Sequence, residues 1–242
     1  MKPLFIIPAR GGSKGIPHKN IKPLGGRPLI AHSIAVALYV ARRMGLDRSN
    51  VLVSTDSPEI AAVAAEAGAP TPYLRPAELA TDTAGSREVM LHAADWARSQ
   101  GIDFDCILLL QPTSPFRTAA DVEGVLALYE TRKPDMAVSV KAASANPYYN
   151  CFETGADGSL HVSKGDGHLT RRQDAPQAWE FNGAVYAINP ESLRAMPMGD
   201  FPVRLPYEMP AERSVDLDTP LDWTIAEALL AAGIVSLPPD VK

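Results

Sequence analysis

Leu4-Phe5-Ile6-Ile7-Pro8-Ala9-Arg10-Gly11-Gly12-Ser13-Lys14-Gly15-Ile16-Pro17-His18-Lys19-Asn20 is the stretch from which the rest of the chain can be read. Its first four residues are apolar without a break, as in a strand covered on both faces. A loop follows with three glycines (Gly11, Gly12, Gly15) and three cations (Arg10, Lys14, Lys19). Glycines let a backbone approach a ligand closely, and successive backbone N–H groups can form an anion-binding concavity. Arg10 adds a planar fork and the lysines add point charges, a set suited to a polyphosphate. The pattern therefore predicts a nucleoside triphosphate in this loop; the plainer alternative is a solvated basic turn between strand and helix. It is neither a Gly-x-x-x-x-Gly-Lys-Ser/Thr loop nor a Gly-x-Gly-x-x-Gly fingerprint.

Outward from this loop the chain alternates strands and helices. A helix is predicted over 28–44, with Leu29, Ile30, Ile34, Ala37, Leu38 and Ala41 at helical spacing. Val51–Ser54 reads as a strand, and Ser57-Pro58-Glu59 opens a helix to about Ala67. Tyr73–Arg75 reads as a short third strand, Ser86–Arg98 as a helix and Cys106–Leu110 as a fourth strand. Thr118-x-x-Asp121 is a capping box for a helix to about Glu130, and Met136–Val140 is a fifth strand. This alternation implies an α/β fold with a mainly parallel sheet and helices on both faces. Ligands in such folds lie beyond the carboxyl ends of the strands, so the basic loop, Asp56 and Gln111 should face one crevice.

From 141 to 181 the rhythm changes to short β-like pieces punctuated by Gly155, Gly158, Gly165 and Gly167. We read this segment as a β-rich arm inserted in a main domain formed by 1–140 and 182–242. An arm too small for a core of its own should pack on a second subunit, giving a homodimer, or fold over the site as a flap. The chain then returns to the sheet at Ala184–Ile188, with a short helix over Pro190–Ala195, a strand near Val203–Tyr207 and a last helix opened by Thr219-Pro220.

The 242 residues suit one domain with an insertion, and a 46% hydrophobic fraction supports a sizeable core. A net charge of −5 argues against a general nucleic-acid or membrane-surface binder. Cys106 and Cys151 provide no disulfide framework, and Cys106 reads as an inert core thiol. The early first strand leaves no room for a signal peptide, and no apolar run approaches ~20 residues. The expectation is a cytoplasmic protein.

Ser214-Val215-Asp216-Leu217-Asp218-Thr219 is the second strong signal. In an extended chain Asp216 and Asp218 point to the same side. Adjacent carboxylates repel unless a cation lies between them, and Mg²⁺ takes one or two carboxylates together with substrate phosphates. The pair could complete a metal site opposite the basic loop; helix capping for Asp218 and a plain surface acid for Asp216 are the alternatives. Gln111 carries donors and acceptors at the sheet edge. Arg172 offers a fork for a carboxylate. Arg117 could be structural, paired with an acid. Tyr186 could be a core residue, and Ser86 a helix cap.

Five ordered segments resemble the acylneuraminate cytidylyltransferases (CMP-sialic acid synthetases): Ile6–Asn20, Arg75–Ser86, Leu110–Arg117, Arg171–Pro176 with Asn182–Tyr186, and Ser214–Thr219. The resemblance implies a Rossmann-like nucleotidyltransferase fold. The implied reaction converts CTP and N-acetylneuraminate, or a close nonulosonic acid, to the CMP-sugar and pyrophosphate with Mg²⁺. It places the nucleotide on Ala9, Arg10, Gly11, Gly12, Ser13, Lys19, Asn20, Arg75, Asp82 and Ser86. It places the sugar on Gln111, Arg117, Arg172, Gln173, Asn182 and Tyr186, and the metal on Asp216 and Asp218. Arg10, Lys14, Lys19 and Asp218 are the implied catalytic residues, with Asp218 one candidate for general base through a metal-bound water. In the arm, where some members carry a lysine near phosphate, this chain has Tyr148-Tyr149-Asn150; Lys164 is a possible substitute. Two alternatives stand beside this reading: another CMP-acid-sugar synthetase, for legionaminate, pseudaminate or the eight-carbon acid of lipopolysaccharide, and a non-catalytic nucleotide-binding protein.

Overall fold

The computed structural model describes residues 1–69, 71–81 and 83–238. Strand β1 (Pro3–Pro8) leads into the glycine loop, a 3-10 turn at Lys19–Ile21 and a small hairpin of β2 (Pro23–Leu24) and β3 (Arg27–Pro28). Helix α1 (Leu29–Arg43), strand β4 (Val51–Ser54) and helix α2 (Pro58–Glu66) follow. Next come α3 (Ser86–Ser99), β5 (Cys106–Leu109), α4 (Ala119–Arg132) and β6 (Met136–Ala142). The arm holds β7 (Phe152–Thr154) and β8 (Leu160–Val162), paired antiparallel in a sheet of their own. The chain closes with β9 (Trp179–Ile188), α5 (Pro190–Ala195), β10 (Arg204–Glu208) and α6 (Pro220–Ala231).

The main sheet has six strands in the order β10-β6-β9-β5-β1-β4. All run parallel except β9, which is antiparallel to both β5 and β6. Alternate residues of β1 face opposite ways, as the pleat requires. Phe5 and Ile7 join the core under α1, α2 and α4, whereas Leu4 and Ile6 join the core under α3 and α5. All four are fully buried, which explains the unbroken apolar run.

The loops after β1, β4 and β5 leave the same edge of the sheet. A third, small core holds several of them together. Ile16 of the glycine loop, Phe116 of the loop after β5 and Leu217 between the two aspartates are all buried with Leu24, Leu29, Trp223 and Ala226. The two loops and the acidic segment are thus fixed relative to one another by burial of apolar side chains. Thr219 and Asp222 cap α6 reciprocally, which fixes where the extended acidic segment ends.

Two expectations are corrected. Tyr73–Arg75 is not a strand; Arg75 N–H bonds the Thr55 carbonyl at 2.7 Å, but no ladder forms. Pro72 and Pro76 flank the segment and have no N–H to give a ladder. The return to the sheet also begins earlier, at Trp179, because β9 extends into the arm across a break in register between Val138 and Val140. Gly183 lies opposite that break with φ +74°, a conformation side chains rarely adopt. Cys106 is fully buried, and burial raises its thiol well above the ordinary range, in keeping with an inert core residue. No described helix is long and apolar enough to cross a membrane.

Candidate active site

A cleft of about 450 Å³ opens at this sheet edge. One wall carries Arg10, Ser13, Lys14, Gly15, Lys19 and Asn20 of the glycine loop. A second side carries Arg75, Thr81 and Ser86, and the floor carries Gln111, Pro112 and Thr113, with Asp218 completing the lining. Nine residues singled out from the sequence therefore share one cavity: Arg10, Ser13, Lys14, Lys19, Asn20, Arg75, Ser86, Gln111 and Asp218.

The glycine loop is pinned from several directions. Gly11 N–H donates to Asp56 Oδ1 at 3.0 Å, and Asn20 Nδ2 donates to the Arg10 carbonyl at 3.0 Å. Arg10 Nη1 donates to the Thr81 carbonyl at 3.1 Å, tying the loop to the second side of the cleft. Lys19 crosses to the acidic segment, donating to the Leu217 carbonyl at 2.7 Å and to Asp218 Oδ1 at 2.9 Å. Gly15 faces the Asp218 backbone so closely that a Cβ would lie 2.1 Å from its carbonyl oxygen. Ala9 is buried at the strand end, donating its N–H to the Ser54 carbonyl at 2.9 Å, and supports the loop from outside the cleft. Neither Gly11 nor Gly12 lines the cavity with the other residues.

Asp216 lies beneath this surface. Burial raises its carboxyl pKa, and the nearby Asp218 adds to the effect, against a Thr113 hydrogen bond and the Lys19 charge. Its Oδ1 is buried with no hydrogen-bond partner among the described residues. Such an atom is costly unless a ligand supplies its partner. A raised carboxyl with an orphaned oxygen, beside a second carboxylate, fits a hard cation. Among the described residues no group of three or more His, Cys, Asp or Glu side chains is arranged to hold a metal, so substrate oxygens would have to complete the shell.

Gly183 explains how the floor closes. A Cβ there would lie 3.0 Å from Ser114 Oγ, 3.1 Å from Gln111 Oε1 and 3.3 Å from Asp216 Oδ2. Three polar groups, two from the loop after β5 and one from the acidic segment, thus converge on one backbone position. Tyr186, on the same strand, is pushed up to about 12 by burial, with Asp216 adding to it.

Several expected ligands are placed elsewhere. Arg117 is fully buried behind the floor, with Nη1 donating to Ser33 Oγ at 2.7 Å and Nη2 to the Gln111 carbonyl. Burial pulls its pKa down to about 9 although Asp216 and Asp121 favour its charge. It therefore braces the floor from outside the cleft. Asn182 is also buried; its Nδ2 donates to Ser214 Oγ at 2.9 Å and its Oδ1 accepts from Ser139 Oγ at 2.6 Å. Its amide is spent on joining β6 and β9 to the acidic segment. Arg172 and Gln173 form an exposed turn in the arm, with Arg172 Nη2 on the Ala143 carbonyl at 2.9 Å, and neither lines the cleft. Asp82 lies outside the described residues.

Thr81, Thr113 and Gly183 were not singled out by the sequence reading, and Gly15 entered it only as one of three loop glycines. Gly15 and Gly183 both carry a signal, since each interrupts a segment of known chemistry, but what each approaches is distant in the chain.

Comparison with known proteins bears on the family and the fold. A family model described as Cytidylyltransferase matches residues 4–195, stopping short of the acidic pair. The chain is 33% identical to a CMP-N,N'-diacetyllegionaminic acid synthase of Legionella pneumophila, over 95% of this chain and 97% of that protein. It is 32% identical to an N-acylneuraminate cytidylyltransferase of Streptococcus agalactiae, over 92% of this chain but 52% of that longer protein. Among solved structures, CMP:2-keto-3-deoxy-manno-octonic acid synthetase complexed with CTP superposes with a TM-score of 0.68 at 21% identity, over 96% of this chain and 100% of that one. That likeness shows a shared fold.

Proposed function

We propose a reaction for a chain that belongs to the cytidylyltransferase family: transfer of the CMP group of CTP to the anomeric hydroxyl of a nonulosonic acid, with release of pyrophosphate. The enzyme is a nucleotidyltransferase. The observation that carries the proposal is the single cleft in which Arg10, Lys14 and Lys19 face Asp218, with Asp216 beneath.

The sugar hydroxyl oxygen forms a bond to the α-phosphorus as its proton passes to a base, for which Asp218 is the candidate. The bond from that phosphorus to the oxygen bridging the β-phosphate breaks, and pyrophosphate leaves with the electron pair. Arg10, Lys14 and Lys19 stabilise the charge that develops on the leaving group. Arg75, Thr81 and Ser86 receive the nucleoside end, and Gln111 orients the sugar. Asp216 and Asp218 would hold Mg²⁺, which supplies Lewis-acid stabilisation of phosphate oxygens. Fixing two reactants in one cleft contributes much of the rate without a covalent intermediate.

N-acetylneuraminate is the first acid to test. The end-to-end match with a legionaminic acid synthase favours a second reading, in which the substrate is N,N'-diacetyllegionaminate. The arm, residues 141–181, would pair two copies of the chain, since Phe152, Leu160, Trp179 and Phe181 expose between 38% and 67% of their surface. Pyrophosphate release, measured with CTP, Mg²⁺ and a panel of acid sugars, tests the assignment. Release with a nonulosonic acid is expected. Release with none, together with CTP binding, would instead identify a nucleotide-binding protein.

A further inference from the structure

One carboxylate outside the cleft joins its two halves. Asp56 follows β4, and its Oδ1 accepts the Gly11 N–H at 3.0 Å. The same oxygen lies 3.7 Å from Arg75 Nη2. Gly11 belongs to the glycine loop, while Arg75 lines the cleft with Thr81 and Ser86. Asp56 does not itself line the cavity.

Arg75 needs such a partner. Its side chain is 4% exposed, and its Nε and Nη2 make no hydrogen bond within the described residues. Burial disfavours its charge, and Asp56 is the first group acting in the opposite direction. Both of these atoms are buried although the residue lines the cleft, and the backbone is held by the bond from Arg75 N–H to the Thr55 carbonyl, next to Asp56 in the chain.

We propose that Asp56 is a positioning residue for nucleotide selection, fixing Arg75 at the base end and Gly11 at the phosphate end with one carboxylate. The proposal rests on the reading that CTP fills this cleft with its base toward Arg75. A guanidinium has donors only. Cytosine presents acceptors at both O2 and N3, whereas uracil presents an N–H at N3. A fixed Arg75 therefore separates the two bases, and a loosened one does not.

Dissociation constants for CTP and UTP, measured by calorimetry on the full chain, test this with Asp56→Ala, Asp56→Asn, Arg75→Ala and the double variant Asp56→Ala/Arg75→Ala. Asp56→Ala should lower the CTP preference roughly tenfold. Asp56→Asn keeps an acceptor for Gly11 but loses the countercharge, so it should fall between Asp56→Ala and the unmodified chain; it also serves if the alanine variant does not fold. The double variant should match Arg75→Ala in its CTP-to-UTP ratio. If Arg75→Ala erases the preference while the Asp56 variants weaken both nucleotides equally, Asp56 is a structural residue and the proposal is overturned. If Arg75→Ala leaves the preference intact, the placement of the base is wrong and the proposal falls with it.

Discussion

Replacing Gly15 with alanine tests how closely the two charged walls must meet. A Cβ at Gly15 would lie 2.1 Å from the Asp218 carbonyl oxygen. Ordinary contact begins at 3.4 Å, so loop and acidic segment must part by about 1.3 Å. The obstacle is backbone, which cannot rotate away as a flexible side chain can. The Lys19 bonds to Leu217 and Asp218, at 2.7 and 2.9 Å, are stretched by the same movement. A displacement of about 1 Å between groups that position reactants can cost ~100-fold in rate. Gly15→Ala should therefore lower kcat by ~100-fold, with a stability loss of about 1–3 kcal/mol typical of overpacking. Gly199→Ala is the control, because nothing lies within 4 Å of its added methyl group. Steady-state pyrophosphate release and thermal melts on both variants give the comparison. Full activity in folded Gly15→Ala would refute the claim that the walls must stay this close.

Other consequences follow from buried polar groups. Asp216→Asn should abolish turnover yet raise the metal-free Tm at pH 7. The sign follows from linkage: burial raises the folded-state pKa of Asp216, so its stabilising contribution is complete below the unfolded value and is lost as pH rises through the folded value. The Tm difference from the unmodified protein should shrink as pH falls toward about 4, and a difference independent of pH would contradict this. Arg117→Ala removes a buried guanidinium from Ser33 and the Gln111 carbonyl, and should cost about 3–5 kcal/mol in denaturant melts. Arg117→Ala that folds with normal stability but a raised sugar KM would instead make it a sugar ligand. Asn182→Ala removes the amide's bonds to Ser139 and Ser214, which keep Val185 and the Pro210 carbonyl as partners, so about 1–3 kcal/mol of stability should be lost with the sugar KM little changed. A raised KM at intact stability would reverse that reading.

What was legible in the sequence was mostly local. The run Leu4–Ile7, the glycine loop and the Asp216/Asp218 spacing each declare their geometry within a few residues, and their convergence follows from the strand-end rule for open sheets. Residue type gives chemistry without direction. Arg117 carries the fork expected of a sugar ligand, but its side chain turns back under the Gln111 loop toward Ser33. Asn182 likewise carries an amide that the bulge opposite Val138 and Val140 turns inward. Arg172 is near Asn182 in sequence, yet the intervening chain, through Pro176 to the start of β9, keeps it in the arm. Tyr73–Arg75 has a strand's apolar start but lies between prolines that deny it a ladder. Asp56 has meaning only through partners 45 and 19 positions away, Gly11 and Arg75, which no local pattern brings together.

The central claim is that a metal-bound triphosphate lies between the basic loop and the acidic pair. Crystals grown with CTP and Mn²⁺, read at the manganese absorption edge, test it directly. The account predicts an anomalous peak in coordination distance of Asp216 and Asp218, with the triphosphate against Arg10, Lys14 and Lys19. A triphosphate bound away from those cations, or a metal peak that touches neither aspartate, would contradict it.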